Sequence, residues 1–400
     1  MKAESPAPYP FWLIVFITGS GTLAIHAFVP ALPLIAAEFG IGAGSAQLVI
    51  SAYMLSLAVG QIVYGPLSDR FGRRPVLIAG LLLYAAASIA AAVAPNLGTL
   101  IVARMLQAFG GCAGLTLGRA VIHDTSHGPD AVARLASINS FILLSPAVAP
   151  ILGQWLAATF HWRAIPLLLS GMGWCIAVGT ILWLRETAVT RVRNFADLFT
   201  GYGTLMKRPR FLAYIAAGAF CTTPQFALLT ASPFIVVDTL GQPVWRVSLF
   251  YIVFIVGVIT GGFLSRHLVR RVSFDRLLTY GSAFGLATAA ALLVQGLTDS
   301  LTVPGFVIAG FLFTTCVGFM SPLTLTRAVS EAGPMIGSAT GLFGCAQMLA
   351  AAASVIGSGI GNALEISTAA VLCVTASLGI GALAFAKFSA RRDADGAPGA

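Results

Sequence analysis

The sequence predicts an all-α polytopic membrane protein, with twelve transmembrane helices in two pseudo-symmetric six-helix bundles. Three observations predict it. The first is composition: 58% of the 400 residues are hydrophobic and 9% are charged, against about 25% charged in a soluble domain. So few charges cannot cover a soluble protein of this size, whereas lipid solvates most of the surface of a membrane protein. The second is segmentation, because twelve apolar stretches reach the roughly 20 residues a helix needs to cross a hydrocarbon core of about 30 Å. The third is a short pattern that recurs half a chain length later.

The segments run near 10–36, 46–66, 75–94, 98–122, 131–158, 162–185, 210–236, 244–266, 275–297, 300–327, 335–363 and 365–388. Turns such as Pro95-Asn96 separate them. Lys2 precedes the first apolar run, but Glu4 lowers the charge, no A-x-A cleavage site follows, and a second long apolar segment comes next. A retained first helix is expected rather than a signal peptide. The longest polar interval, 186–209, holds Arg191, Arg193, Asp197, Lys207 and Arg208. It divides the chain into an N-terminal bundle over 1–185, a central cytoplasmic loop over 186–209, a C-terminal bundle over 210–388 and a cytoplasmic tail over 389–400.

Orientation follows from the basic residues, which gather on the cytoplasmic side. With the N-terminus inside, all 23 Lys and Arg residues except Arg104, Arg163 and Arg246 fall at or near inner loops. Both termini are therefore expected in the cytoplasm, with the chain in the cytoplasmic (inner) membrane and a monomer as the working expectation.

The repeat lies at corresponding inner loops. Gly65, Leu67, Ser68, Arg73 and Arg74 recur as Gly262, Leu264, Ser265, Arg270 and Arg271. Parallel repeats of six helices, related by an axis along the membrane normal, build one major transporter architecture.

Several function classes receive no support. The net charge of +9 contains no basic run with interleaved aromatics, so no nucleic-acid partner is expected. All six cysteines lie in apolar stretches without C-x-x-C spacing, which reads as apolar packing. His123, Asp124 and His127 include an H-x-x-x-H spacing, but they fall at an inner loop and Asp124 has another use, so no metal site is assigned. No phosphate loop, H-E-x-x-H or G-x-S-x-G motif occurs, and neither an enzyme nor a cofactor is expected.

Arg104 is the most informative single residue. A charge inside a membrane span is costly and usually faces a cavity or a partner. Gln107 lies three residues on, on the same helical face. Asp69 is an acid where basic residues alone would mark the inner side, and it can pair with Arg73. Gly65 and Gly72 permit tight turning of the loop at 65–74, while Arg70 and Arg74 anchor it at the interface. Pro146 and Pro150 bend the fifth segment, and Gly153 allows close packing.

Residues 60–75, GQIVYGPLSDRFGRRP, resemble the loop signature of the major facilitator superfamily. PALP from Pro30, QLVISAY from Gln47, RMLQAFGG from Arg104, RAVIHD from Arg119, SPAVAPILG from Ser145, LRET from Leu184, SPF from Ser232 and GSATGLFGCAQ from Gly337 resemble its Bcr/CflA drug-resistance subfamily. The likeness spans nearly the whole chain. It implies the major facilitator fold, alternating access, and multidrug or antibiotic efflux by exchange with protons. It also implies that Asp69, Arg70, Arg73, Arg74 and Asp124, with Gly65 and Gly72, form an inner gate. Pro146, Pro150 and Gly153 match the antiporter signature.

The resemblance makes Arg104 a residue of substrate and proton coupling. It also marks a departure: His26 stands four residues before Pro30, where the family carries an Asp that serves as proton carrier. His26 can titrate near neutral pH and is the expected coupling partner of Arg104. Tyr53, Gln107, Asn139, Gln225, Phe226, Ser232 and Gln347 are candidates for the substrate cavity. Because Arg104 has no deep carboxylate on these segment boundaries, neutral, zwitterionic or anionic small-molecule substrates are expected. Two rival readings are a metabolite facilitator or symporter without antiport, and a transport-like receptor, for which the short tail offers little partner-binding chain.

Overall fold

The computed structural model describes residues 9–126, 128–187, 202–333, 335–361 and 363–395. Among the described residues, eleven helices are long and apolar enough to cross a membrane. One further helix, over Gly128–Thr159, carries Pro146 and Pro150 inside it and ends in a shorter apolar stretch, Val148–Thr159. The all-helical architecture and the approximate count of twelve thus match the sequence reading.

In chain order the helices are α1 (Phe11–Phe28), α2 (Leu32–Phe39), α3 (Ala43–Phe71), α4 (Arg73–Ala92), α5 (Leu97–Thr125), α6 (Gly128–Thr159) and α7 (Ala164–Trp183). They continue as α8 (Pro209–Thr222), α9 (Gln225–Phe234), α10 (Arg246–Leu268), α11 (Phe274–Leu297), α12 (Val303–Ala332), α13 (Ile336–Ser358) and α14 (Leu364–Asp395). A 3-10 turn at Val29–Ala31 joins α1 to α2, so the first apolar segment is one bent span. Its cause is Pro30, which has no N–H for the helical ladder. A π-helical turn at Ile235–Thr239 follows α9, just after Pro233.

Helix ends use local polar groups, because the first N–H groups have no partner inside the helix. The Asn96 side chain accepts from the Thr99 N–H at 2.9 Å, and the Thr302 hydroxyl accepts from the Gly305 N–H at 3.2 Å. One expectation is corrected here. The signature at 65–74 is not a loop throughout, because α3 continues through Pro66 as far as Phe71. Gly65 is therefore helical, and the whole reversal is made by Gly72 at φ +94°, a conformation that L side chains rarely adopt.

The chain forms two compact units. The first comprises Met1–Phe39 and Ala52–Leu198, and the second comprises Gly40–Ser51 and Phe199–Ala400. The units part elsewhere than at the 186–209 interval alone, since the first residues of α3 belong with the second unit. Inside the first unit α4 packs on α5 and α7, and α1 packs on α5 and α6. Inside the second unit α11 packs on α12 and α14, and α8 packs on α12 and α13. These four pairings thus recur between corresponding helices.

Close crossings depend on missing side chains, as expected where helices associate in lipid. A Cβ on Gly153 would collide with the Ala27 carbonyl of α1, and one on Gly261 would collide with the Thr315 carbonyl of α12. Large apolar side chains such as Leu182, Phe263 and Ile360 are more than half exposed. In a membrane that surface meets hydrocarbon rather than water.

Candidate functional site

The deepest polar group of the first unit is Arg104, which is fully buried. It lies two turns into α5, where RMLQAFGG supplies small residues that let α1 and α4 come close. Its Nη1 donates to Gln107 Oε1 at 2.6 Å, and its Nη2 donates to the Ala24 carbonyl of α1 at 3.2 Å. The guanidinium lies 4.3 Å from the Phe28 ring centre and 4.2 Å from that of Tyr53. Gln107 Nε2 then donates to Ser88 Oγ at 2.6 Å, and Ser88 Oγ donates to the Tyr84 carbonyl at 2.6 Å. The Tyr53 hydroxyl donates to the Gly21 carbonyl at 2.9 Å.

This network joins α1, α3, α4 and α5 around one cation. No carboxylate forms an ion pair with Arg104 among the described residues, and its Nε is buried without an acceptor there. The charge is instead met by two oxygens and two aromatic faces, each ring contributing about 0.5–2 kcal/mol. The group has only N–H donors to offer, so a partner for its remaining Nε would have to be an oxygen acceptor.

His26 lies two residues after Ala24 on α1 and is buried. Its Nδ1 stands 2.8 Å from the Thr22 carbonyl. A carbonyl only accepts, so Nδ1 carries the hydrogen and Nε2 is the nitrogen that can take up a proton.

A second cluster closes one end of the same unit. Arg73, the first residue of α4, reaches Asp69 Oδ1 at 2.6 Å and Asp124 Oδ2 at 3.2 Å. It also donates to Ser68 Oγ. The expected residues Asp69, Arg73 and Asp124 are therefore assembled from α3, α4 and α5. Arg70 stacks over Phe71 at 5.2 Å, and Arg74 donates to the Ile181 carbonyl of α7 at 2.8 Å.

Sequence reasoning missed Glu186 in this cluster. Its Oε1 accepts from the Arg73 N–H at 2.9 Å, and its Oε2 accepts from the Arg74 N–H at 3.2 Å. A carboxylate thereby caps the N-terminus of α4, where the helix dipole favours negative charge. Gly72 leaves the room, because a Cβ there would press on the Glu186 carboxylate. The only sequence signal is LRET itself, since Glu186 stands where the central loop was expected to begin.

The second unit has a counterpart that was also missed. Arg327, near the end of α12, donates to Asp275 at the start of α11 at 2.8 Å. The helix pair is the same one that Arg73 and Asp124 tie in the first unit, with the signs exchanged. Arg270 and Arg271, the repeat partners of Arg73 and Arg74, instead fall in the exposed turn after α10. Farther along, Arg210 pairs with Glu331 at 2.8 Å, tying the start of α8 to the end of α12. In the first unit the Tyr9 and Thr125 hydroxyls, 2.5 Å apart, occupy the matching place.

The remaining expected residues are more scattered. Gln347 Nε2 donates to Thr222 Oγ1 at 2.9 Å, linking α13 to α8, while Ser232 donates to the Leu229 carbonyl of its own helix at 2.9 Å. Gln225 and Phe226 open α9 and are partly buried. The side chain of Asn139 and all of His127 lie outside the described residues. Pro146 and Pro150 are both helical, and Gly153 seats α6 against α1.

Away from these sites, Glu38 of α2 accepts from Trp162 Nε1 at 2.5 Å, pairs with Arg163, and lies 3.3 Å from His161 Nε2. Arg163 also reaches the Ala94 carbonyl at 2.9 Å. This cluster pins the turn before α7 to the end of α2 and to the turn after α4.

The profile of the Major Facilitator Superfamily matches residues 11–355. The chain is 28% identical over 370 residues to the uncharacterized MFS-type transporter YdgK of Bacillus subtilis, covering 91% of each chain. It is 25% identical to a bicyclomycin resistance protein homolog of Haemophilus influenzae, covering 90% of this chain and 92% of that one. It is 26% identical to multidrug resistance protein D of Escherichia coli, covering 83% and 84%. A crystal structure of a D-xylose-proton symporter superposes with a TM-score of 0.72 at 15% identity, covering 94% and 95%.

Proposed function

Since the chain belongs to the major facilitator superfamily, a family of non-enzymatic carriers, we propose that it exports small drug-like molecules by alternating access and favours neutral, zwitterionic or anionic ones. The observation that carries the proposal is Arg104, a buried charge within a membrane span that meets no carboxylate among the described residues. A lipophilic cation would be repelled there, whereas carbonyl, nitro or carboxylate oxygens would find a donor. The resistance names of two relatives support the drug-like class. The bias of basic residues supports an inner-membrane location with both termini in the cytoplasm.

Export is proposed to run in exchange for protons, with His26 as carrier. Its Nδ1 is engaged by the Thr22 carbonyl, which leaves the proton exchange to Nε2. Asp69, Arg73, Asp124 and Glu186 are proposed to latch the inner gate. Breaking them frees the α4 terminus from α3, α5 and the residue that follows α7.

The test is proton release on substrate addition, using purified protein at several pH values. A phenicol antibiotic is compared with ethidium, in wild type, His26→Ala and His26→Asp. Substrate-triggered release that His26→Ala abolishes is the expected result. Binding without release, unchanged in His26→Ala, would overturn the exchange and install a facilitator for a single metabolite. Strong ethidium export by the wild type would overturn the charge preference.

A further inference from the structure

We infer that a crevice between the start of α4 and the end of α7 binds the headgroup of one anionic phospholipid. The crevice has a volume of about 440 Å³ and is lined by Arg74, Pro75, Ile181, Leu182, Leu184, Arg185 and Glu186. Its polar and apolar walls are divided. Arg74, Arg185 and Glu186 provide the charges, while Ile181 and Leu182 belong to the exposed apolar face of α7.

The charges are not balanced within the crevice. Glu186 directs both carboxylate oxygens at the Arg73 and Arg74 N–H groups, so its charge serves the α4 terminus. Arg74 uses Nη2 on the Ile181 carbonyl, which fixes its side chain along the crevice wall. Arg185 is exposed and has no hydrogen bond or ion pair among the described residues. Two arginines thus line one hollow, and planar N–H forks match phosphate oxygens.

The level of the crevice selects a lipid over a soluble anion. Trp183, beside Leu184, lies edge-on to Trp12 at 5.6 Å, and both rings are about half exposed. Exposed tryptophans mark the headgroup level of a bilayer. Leu182 is 67% exposed and continues the apolar wall toward the membrane, giving acyl chains a path away from the phosphate. Basic pockets between helices at this level suit anionic headgroups.

The full-length protein is reconstituted in phosphatidylcholine nanodiscs containing phosphatidylglycerol, then released and weighed intact by native mass spectrometry. The expected result is one tightly retained phosphatidylglycerol. The variant Arg74→Gln/Arg185→Gln should weaken retention roughly 30-fold, at about 1 kcal/mol per basic residue. Arg185→Gln alone, at an exposed side chain that should not affect folding, should weaken it roughly fivefold. Arg270→Gln/Arg271→Gln, two exposed arginines after α10, should leave it unchanged. Retention unaffected by Arg185→Gln, or lost equally in the α10 variant, would overturn the site. Displacement of the lipid by millimolar inorganic phosphate would overturn the lipid assignment in favour of a soluble anion.

Discussion

At Arg104 a full positive charge is held by one carbonyl, one amide oxygen and two rings. Lysine would keep the charge, but its single ammonium cannot serve Ala24 and Gln107 at once while lying flat against Phe28 and Tyr53. Losing one such charge-assisted bond costs about 1.5–3 kcal/mol. Arg104→Lys is therefore expected to lower phenicol transport into inverted vesicles at least roughly tenfold, with the protein still monodisperse. Unchanged transport would remove Arg104 from the proposed site. Glu186 makes a different case, since its part in the proposed latch is to cap the α4 terminus. Glu186→Ala should cost about 1–2 kcal/mol and Glu186→Gln about half of that, as a neutral acceptor remains. Thermal unfolding in detergent would order the three proteins, and equal midpoints would deny the cap. Asp69, Arg73 and Asp124 were legible because a compact motif holds two of them and family resemblance supplies the third. Glu186 was not, because the N–H groups it caps lie 112 and 113 residues earlier, and no local pattern encodes a partner so distant.

At the scale of helices, the same pair of elements is tied in each unit by one ion pair, but in different surroundings. The side chains of Arg73 and Asp124 are 16% and 21% exposed, whereas those of Arg327 and Asp275 are 31% and 54% exposed. Screening weakens the more exposed pair. Double-mutant cycles with Arg73→Gln and Asp124→Asn should therefore give a larger coupling than cycles with Arg327→Gln and Asp275→Asn, which should stay below about 1 kcal/mol. Equal couplings would contradict the argument. The glycines of α10 offer a sharper contrast. Gly261 abuts the Thr315 carbonyl, while its neighbour Gly262 faces open space. Gly261→Ala should destabilise by about 1–3 kcal/mol by forcing α10 from α12. Gly262→Ala should be neutral or stabilise by up to about 1 kcal/mol through helix propensity, and a reversed order of unfolding midpoints would refute the crossing. The sequence repeat foresaw the related loops but not the second ion pair. Its offset points to Arg270 and Arg271, while a longer turn after α10 hands the helix start to Asp275.

For the whole molecule, what lipid demands is local, and so it could be read directly. Each span needs its own unbroken apolar run, and the basic residues gather in alternate turns between spans. Side-chain pairs between helices follow no such local rule: Arg104, Gln107 and Tyr53 could be singled out, but their ties to Ala24, Ser88 and Gly21 on other helices stayed hidden for that reason. Orientation can be tested with single cysteines placed in a cysteine-free background. Ser300→Cys, between α11 and α12, should react with an impermeant maleimide added to intact cells. Ser273→Cys, between α10 and α11, should react only after lysis, and the opposite pattern would invert the assigned topology. The exchanged signs of the two ion pairs carry a further consequence for how the chain assembles. Helices of the two halves share one packing scheme, so α4 could be captured by α12, or α11 by α5, while both lie unassembled in the bilayer. Either mispairing would set Arg73 against Arg327 or Asp275 against Asp124, like charge on like charge at the point of docking. The polarity of a single residue pair thus labels each half as self, and makes a swapped bundle the costlier product.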